Sequence, residues 1–308
     1  MGKYILRRLL QMILVLIGAS LILFVCLFVL PGDPIGSLAG SERVRDPVVR
    51  ETLEKRYNLD KPLPVQYLTY LGNVATGDLG ESFRLRRPVN DVIWEKIGNT
   101  FRLALTAIVF EIIIGVIAGI VAAVFRYSFW DVLVTVAVTL TVGFATFVTG
   151  LILQQVFALK LGWLPLSGQE TPLHYILPAV TLASVSTALV ARLMRGTMLE
   201  VLRADYIRTA FAKGLTKRTV ILKHALRNSV IPVVTFIGID FGTLLGGALI
   251  TEVIFNWNGI GSALVTAIGA QDNPMVLGIA TYSVAIFVVV NLVVDTLYGF
   301  LDPRIRLQ

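Results

Sequence analysis

At 308 residues, 56% hydrophobic and 15% charged, with a mean hydropathy of +0.78, the chain is too greasy for a soluble domain and reads as a polytopic membrane protein. Its net charge of +7 would suggest nucleic acid in a soluble chain, but Lys and Arg gather at the ends of apolar runs, as in cytoplasmic loops, so no nucleic-acid partner is expected. Cys26 is the only cysteine, which excludes an intrachain disulfide and leaves it a small core filler of the first apolar run.

Lys3, Arg7 and Arg8 precede an apolar run over 9–30. That run is too long for the h-region of a cleaved signal, and no small-x-small cleavage site follows. The Arg7-Arg8 pair admits a twin-arginine reading, and Leu23-Phe24-Val25-Cys26 a lipoprotein one, although bulky Phe24 and Val25 oppose lipidation. An uncleaved first span is the better reading. The segment 31–100 is the one polar stretch of any size, with turn markers at Pro31-Gly32-Asp33-Pro34, Lys61-Pro62-Leu63-Pro64 and Gly77-Asp78-Leu79-Gly80. A helix is predicted over 47–57. The segment is too small for a large core and is expected to pack on the outer membrane face.

A membrane-crossing helix needs about 20 apolar residues. Six windows qualify: 9–30, 103–125, 132–157, 174–191, 230–250 and 275–300. Pro178 blurs the start of the fourth, while Pro232 and Pro274 fall in expected first turns, where a missing N–H costs least. Sidedness follows from basic residues. With Lys3, Arg7 and Arg8 inside, six spans return Arg304 and Arg306 to the same side, together with Arg126 and nine basic residues between Arg192 and Arg227. The outer loops 158–172 and 251–274 hold only Lys160 between them. The expected fold is therefore an all-α integral membrane protein. It has six transmembrane helices, an extracytoplasmic insert after the first span and a cytoplasmic loop between spans four and five. By segment, 1–30 is the N-terminus and first span, 31–100 the insert, and 101–308 a five-helix core that contains the loop 195–228.

That loop is the most informative stretch. A helix is predicted over 200–212, with Gly214 past its end in the left-handed region, and Thr216 then caps a second helix over 217–226. A helix–glycine–helix elbow with apolar side chains at Val220, Leu222 and Leu226 suits a groove on a partner protein. A surface hairpin whose Lys and Arg hold anionic lipid headgroups fits the same spacing. Spacing alone does not separate the two.

No chemistry is written into the chain. A Gly-x-x-x-x-Gly-Lys-Ser/Thr phosphate loop is missing, and His174 and His224 have no ligand partners at metal spacing, so neither catalytic nor metal-binding residues are expected. Three acids lie inside spans, where a charge costs roughly 2.5–3.5 kcal/mol at a helix centre, so each should face protein or water. Glu111 and Asp240 are candidates for a translocation path, with interhelical hydrogen bonding as the alternative for Glu111. Asp295 is expected to tie to Arg304 or Arg306. Gly238, Gly242 and Gly246 recur every fourth residue on the fifth span, which predicts a close helix contact, either within the chain or with a partner.

Asp205-Tyr206-Ile207-Arg208-Thr209-Ala210, Ala212-Lys213-Gly214-Leu215 and His224-Ala225-Leu226 resemble the cytoplasmic coupling loop of ABC-importer permeases in the dipeptide, oligopeptide and nickel branch. Leu30-Pro31-Gly32-Asp33-Pro34, Leu59-Asp60-Lys61-Pro62, Gly77-Asp78-Leu79-Gly80, Leu164-Pro165-Leu166-Ser167-Gly168, Leu177-Pro178-Ala179, Asp272-Asn273-Pro274 and Leu301-Asp302-Pro303-Arg304 follow the same branch in order. Trp257-Asn258-Gly259 departs from it, since the branch usually has Pro before that Gly. The resemblance implies a six-span half-transporter of the first, B-type, kind in a bacterial inner membrane. Its partners would be a second, C-type permease, two cytoplasmic ATPase subunits and an extracytoplasmic peptide-binding protein, with a peptide as substrate. ATP and Mg would sit on the partner subunits and no cofactor on this chain. The coupling residues carried over are Asp205, Tyr206, Arg208, Thr209, Ala210, Lys213, Gly214, Leu215, Arg218, His224, Leu226 and Arg227. Glutathione and chelated nickel are alternative cargoes. A self-contained proton-coupled transporter using Glu111 and Asp240, and a lipid- or partner-binding scaffold, are alternatives of other classes.

Overall fold

The computed structural model describes residues 2–26, 51 and 61–301. The expected helix over 47–57, the Leu30 to Pro34 turn, the side chain of Asp295 and the basic end at Arg304 and Arg306 lie outside the described residues. What is described is helical, and among the described residues the only strand-like pairing is an isolated bridge between Glu81 and Pro88. Among the described residues four helices are long and apolar enough to cross a membrane: Val89–Val124, Pro172–Val201, Lys217–Gly246 and Asn273–Val294. A fifth crossing is available if the bent pair Phe129–Gly143 and Thr146–Lys160 counts as one.

The chain divides into two compact units. The first holds α1 (Gly2–Phe24), α2 (Leu63–Ala75), the start of α3 (Val89–Phe110), α11 (Ile260–Gly269) and most of α12 (Asn273–Leu301). Helix α2 starts with Pro64 in its first turn, where no N–H is needed. It is fastened to α1 by the Tyr67 hydroxyl, which donates to the Ile17 carbonyl at 2.9 Å. Cys26 is exposed rather than packed in a core. Leu10, Ile13, Leu14 and Ile22 of α1 are likewise exposed among the described residues. Tyr70 reaches Thr281 at 2.7 Å, and burial pushes its phenol up to about 12.

The loop from Gly77 to Pro88 is built around one carboxylate. Asp272, almost fully buried, accepts from the Ser82 hydroxyl (2.5 Å) and the backbone N–H groups of Phe83 (3.1 Å) and Arg84 (3.3 Å). It also accepts from the Met275 N–H at 3.4 Å, in the first turn of α12, where a negative charge suits the helix dipole. Beneath it Val89, Val92 and Ile93 pack with Ile260, Met275 and Ile279. The insert segment described here is thus organised by an aspartate from the other end of the sequence.

The second unit is centred on α7 (Ile176–Val201), which is buried along most of its length. A 3-10 turn, Pro172–Tyr175, leads into α7, so Pro178 stands in its first turn, and the fourth helix is longer than the 174–191 window. Around α7 lie the end of α3, a π-helical stretch Glu111–Gly115, α4 (Val116–Val124), α5 (Phe129–Gly143), α6 (Thr146–Leu153) and α10 (Leu226–Ile254). The close approach is made by Gly115 and Gly119. A Cβ on Gly115 would lie 2.7 Å from Val190 Cγ1, and one on Gly119 would lie 2.6 Å from Met194 Cβ. Backbones can come this near only where side chains are missing. Gly246, by contrast, has nothing within 4 Å of where its Cβ would be.

Three expectations need correction. The window 132–157 is not one straight helix: Phe144 and Ala145 are extended, with ψ of 138° and 142°, and the two halves meet at 113°. Gly143 weakens the helix there, and hydropathy stays high through the break, so apolar content alone cannot reveal it. The helix predicted over 217–226 is not separate. It starts as α9 (Lys217–Thr219), continues through the π-helical Val220–Ala225 and runs into α10 without a stop. Pro232 consequently lies inside a helix, not in its first turn, and the ladder bond it would donate to residue 228 is lost.

Candidate functional site

Polar and basic residues concentrate between α7 and α10. Helix α7 ends at Val201, three residues turn, and α8 (Asp205–Ala212) begins with an acid in its first turn. The helix expected over 200–212 is therefore not continuous: Glu200 and Val201 end α7, the chain bends at 202–204, and only 205–212 form the separate helix. At its end Gly214 has φ +81°. Its N–H donates to the Phe211 carbonyl (2.9 Å), and that of Leu215 to the Ala210 carbonyl (3.3 Å). This pair of bonds closes a helix through a left-handed residue, where an L side chain costs about 1–2 kcal/mol. Two residues later the Thr216 hydroxyl accepts from the Thr219 N–H at 3.4 Å and caps the next helix.

The α8 face turned inward carries Ile207 and Ala210, buried with Met194, Met198, Val220 and Ala225. Leu226 packs against the same cluster. Of the apolar positions expected to protrude, Val220 is fully buried and Leu226 partly buried, because the second helix is continuous with α10 and sinks into the unit. The outward face carries Tyr206, Phe211, Leu215 and Leu222 among exposed Arg208, Lys213, Lys217, Arg218 and Arg227. Asp205 and Thr209 are also exposed, while His224 is half-buried. Leu222 protrudes as its place in the expected elbow implied, whereas Phe211 was not among the expected site residues. The signal for Phe211 was available: in α8 it lies one residue past Ala210 and four past Ile207, at the edge of the buried stripe.

Polar bonds fasten this elbow to its supports. The Asn228 side-chain amide donates to the Tyr206 hydroxyl (2.8 Å), and the Thr197 hydroxyl donates to the Ser229 carbonyl (3.0 Å). On the opposite side of α7, Arg195 grips Asp131 with two bonds, Nε at 2.7 Å and an Nη at 3.0 Å. Asp131 is buried in the first turn of α5 and also accepts from the Tyr127 N–H at 2.9 Å. Arg195 thus belongs to α7 and not to a free loop. The sequence shows only that opposite charges flank two apolar segments, which does not say that they meet.

Glu111 and Asp240 lie deep in the same unit. Glu111 is fully buried at the start of the π-helical stretch, and neither carboxyl oxygen has a hydrogen-bond partner. Among the described residues Glu111 makes no interhelical hydrogen bond, contrary to the alternative expected for it. Asp240 hydrogen-bonds Ser186, leaves one oxygen unpartnered and lies close enough to Glu111 to interact electrostatically. Among the described residues no group of three or more His, Cys, Asp or Glu could hold a metal ion. A separate apolar cleft of about 320 Å³ lies between α5, α6 and α7, lined by Val134, Val138, Thr141, Thr149, Val180 and Thr187 among others.

Comparison with known proteins adds three findings. Residues 115–307 match the family described as the binding-protein-dependent transport system inner membrane component, and residues 1–104 match the N-terminal region of the same class of membrane component. The glutathione transport system permease protein GsiC of Escherichia coli (strain K12) is 42% identical over 308 residues, covering 99% of each chain. Its counterpart in Salmonella paratyphi A is 40% identical over 307 residues, again covering 99% of each. The crystal structure of an amino acid ABC transporter with histidines superposes at a TM-score of 0.50 and 17% identity, over 70% of this chain and 94% of that one, a likeness of fold alone.

Proposed function

Because the chain belongs to the binding-protein-dependent transport system inner membrane components, we propose that it is one of two permease subunits of an ATP-driven importer for dipeptides or oligopeptides. It crosses the inner membrane six times with both termini in the cytoplasm, and the second, C-type permease completes the path. Two ATPase subunits hold ATP and Mg, and an extracytoplasmic binding protein delivers cargo. Glutathione, itself a small peptide, is the specific alternative favoured by relatives that carry it in their names and match over 99% of this chain.

The observation that carries the reading is the two-sided elbow. Ile207 and Ala210 anchor it to the transmembrane unit, while Tyr206, Phe211 and Leu215 are exposed among cations. An amphipathic helix of this kind fits a groove on a partner. Pinned between α7 and α10, it would convert closure of the ATPase pair into rigid-body movement of helices. Glu111 and Asp240 would border the path, where an acid can meet a peptide's ammonium end.

The test is recovery of the two ATPase subunits when this chain, tagged, is purified from cells that express its genomic neighbours. We expect stoichiometric recovery, lowered about tenfold or more by Phe211→Glu with Leu215→Glu, since each buries a charge in an apolar contact. Failure of the unaltered chain to retain any ATPase subunit overturns the reading.

A further inference from the structure

We propose that the Asp131–Arg195 pair is the link that carries elbow movement into α5 and on to the bend at Phe144 and Ala145. This rests on the coupling role proposed above and assigns it a route. Arg195 is flanked on α7 by Met194 and Met198, the two methionines against which Ile207 and Ala210 of α8 are packed. A push on α8 is therefore a push on the turn of α7 that carries Arg195. From there the forked guanidinium reaches across to Asp131 with bonds of 2.7 and 3.0 Å, a planar two-point grip that resists rotation as well as separation.

Asp131 is the right residue to receive that push. It stands in the first turn of α5, and its second oxygen also takes the Tyr127 N–H at 2.9 Å, in a turn where Tyr127 has φ +62°. The carboxylate thus fuses the 125–128 turn, the start of α5 and the end of α7 into one piece. Further along, α5 has no comparable hold on α7. Its residues Val134, Ala137, Val138 and Thr141 face the apolar cleft of about 320 Å³, whose far wall includes Val180, Thr187 and Ala191 of α7. Among the described residues no other ion pair or side-chain hydrogen bond joins α5 to α7. Without the pair, α5 has room to stay behind when α7 moves.

The pair is only part-buried, with the Arg195 side chain 32% exposed, so its contribution to stability is modest, while its two-point geometry does specify one arrangement. Here the arrangement specified is the register of α5 against the helix that bears the elbow.

The experiment uses the whole complex in liposomes, with Cys26→Ser as background and spin labels at Val132→Cys on α5 and Arg203→Cys in the turn before α8. In the unaltered pair we expect the label distance to stay constant between nucleotide-free and ATP-bound states, since the two sites move together. With Asp131→Asn the distance should change with nucleotide, and ATP hydrolysed per radiolabelled glutathione imported should rise about tenfold, within the usual span of coupling between sites. Exchanging the partners, Asp131→Arg with Arg195→Asp, should restore a constant distance, which a loss of general stability would not do. Should Asp131→Asn fail to assemble, Arg195→Lys is read in the same way, because it keeps the charge and loses the fork.

A constant distance in Asp131→Asn or Arg195→Lys overturns the proposal, as does an exchange that leaves the distance variable. The distance measurement needs no cargo. Gly214→Pro in the same assay separates the two levels of inference: if it uncouples while the Asp131 variants do not, only the route fails. If neither uncouples, the coupling role of the elbow fails with it.

Discussion

Gly214 shows how one residue shapes the surface that matters most. At φ +81° it ends α8 and lets the next helix leave at a new angle, and its N–H closes that end by bonding the Phe211 carbonyl. Proline fixes φ near −65° and has no N–H, so Gly214→Pro removes both features. We expect the assembled importer to hydrolyse ATP while uptake falls about tenfold or more, as for a loss of coupling between sites. Gly214→Ala meets only the left-handed penalty of about 1–2 kcal/mol and should keep most of the uptake. Equal uptake rates in the two variants would remove the elbow's shape from the mechanism. This residue was legible in the sequence because a glycine followed by a capping threonine is a local signal, readable without knowing what packs nearby. The Arg195–Asp131 fork was not, since its two halves are 64 positions apart and only packing brings them together.

Among whole elements, glycine spacing was legible but its meaning was not. Gly238, Gly242 and Gly246 and the pair Gly115 and Gly119 share one spacing, yet Gly115 and Gly119 are pressed against α7 while Gly246 has open surroundings. A Cβ at Gly119 would stand 2.7 Å from the Ala191 carbonyl oxygen, which is backbone and cannot turn aside. Gly119→Ala should lower the unfolding midpoint of the purified chain in detergent, at a cost of about 1–3 kcal/mol typical of overpacking. Gly246→Leu should leave that midpoint unchanged, because its surroundings are open. If Gly246→Leu also loses the second permease on purification, the fifth-span glycines face that partner; full retention refutes this. The same limit explains the broken third window. Periodicity and hydropathy describe the medium a helix sits in and say nothing of two extended residues at Phe144 and Ala145 that are as apolar as their neighbours.

For the molecule as a whole, sidedness is the decisive property. The cations of the elbow engage cytoplasmic ATPase subunits only if that surface faces inward. In sealed right-side-out vesicles a membrane-impermeant amine reagent should leave Lys213 and Lys217 unmodified until the vesicles are opened. Modification before opening would reverse the orientation and with it the proposed coupling. Membrane residence, helical class and the site of the elbow were all determined by the sequence by itself, since each follows from local quantities: apolar run length, the distribution of Lys and Arg, and turn chemistry near Gly214 and Thr216. The tertiary structure alone decided which face of the elbow is buried, which glycines meet a neighbour, where the third window breaks, and that Asp131 and Asp272 hold distant segments. Those outcomes depend on distances between residues far apart in the chain, and a linear pattern of hydrophobicity and charge does not contain such distances.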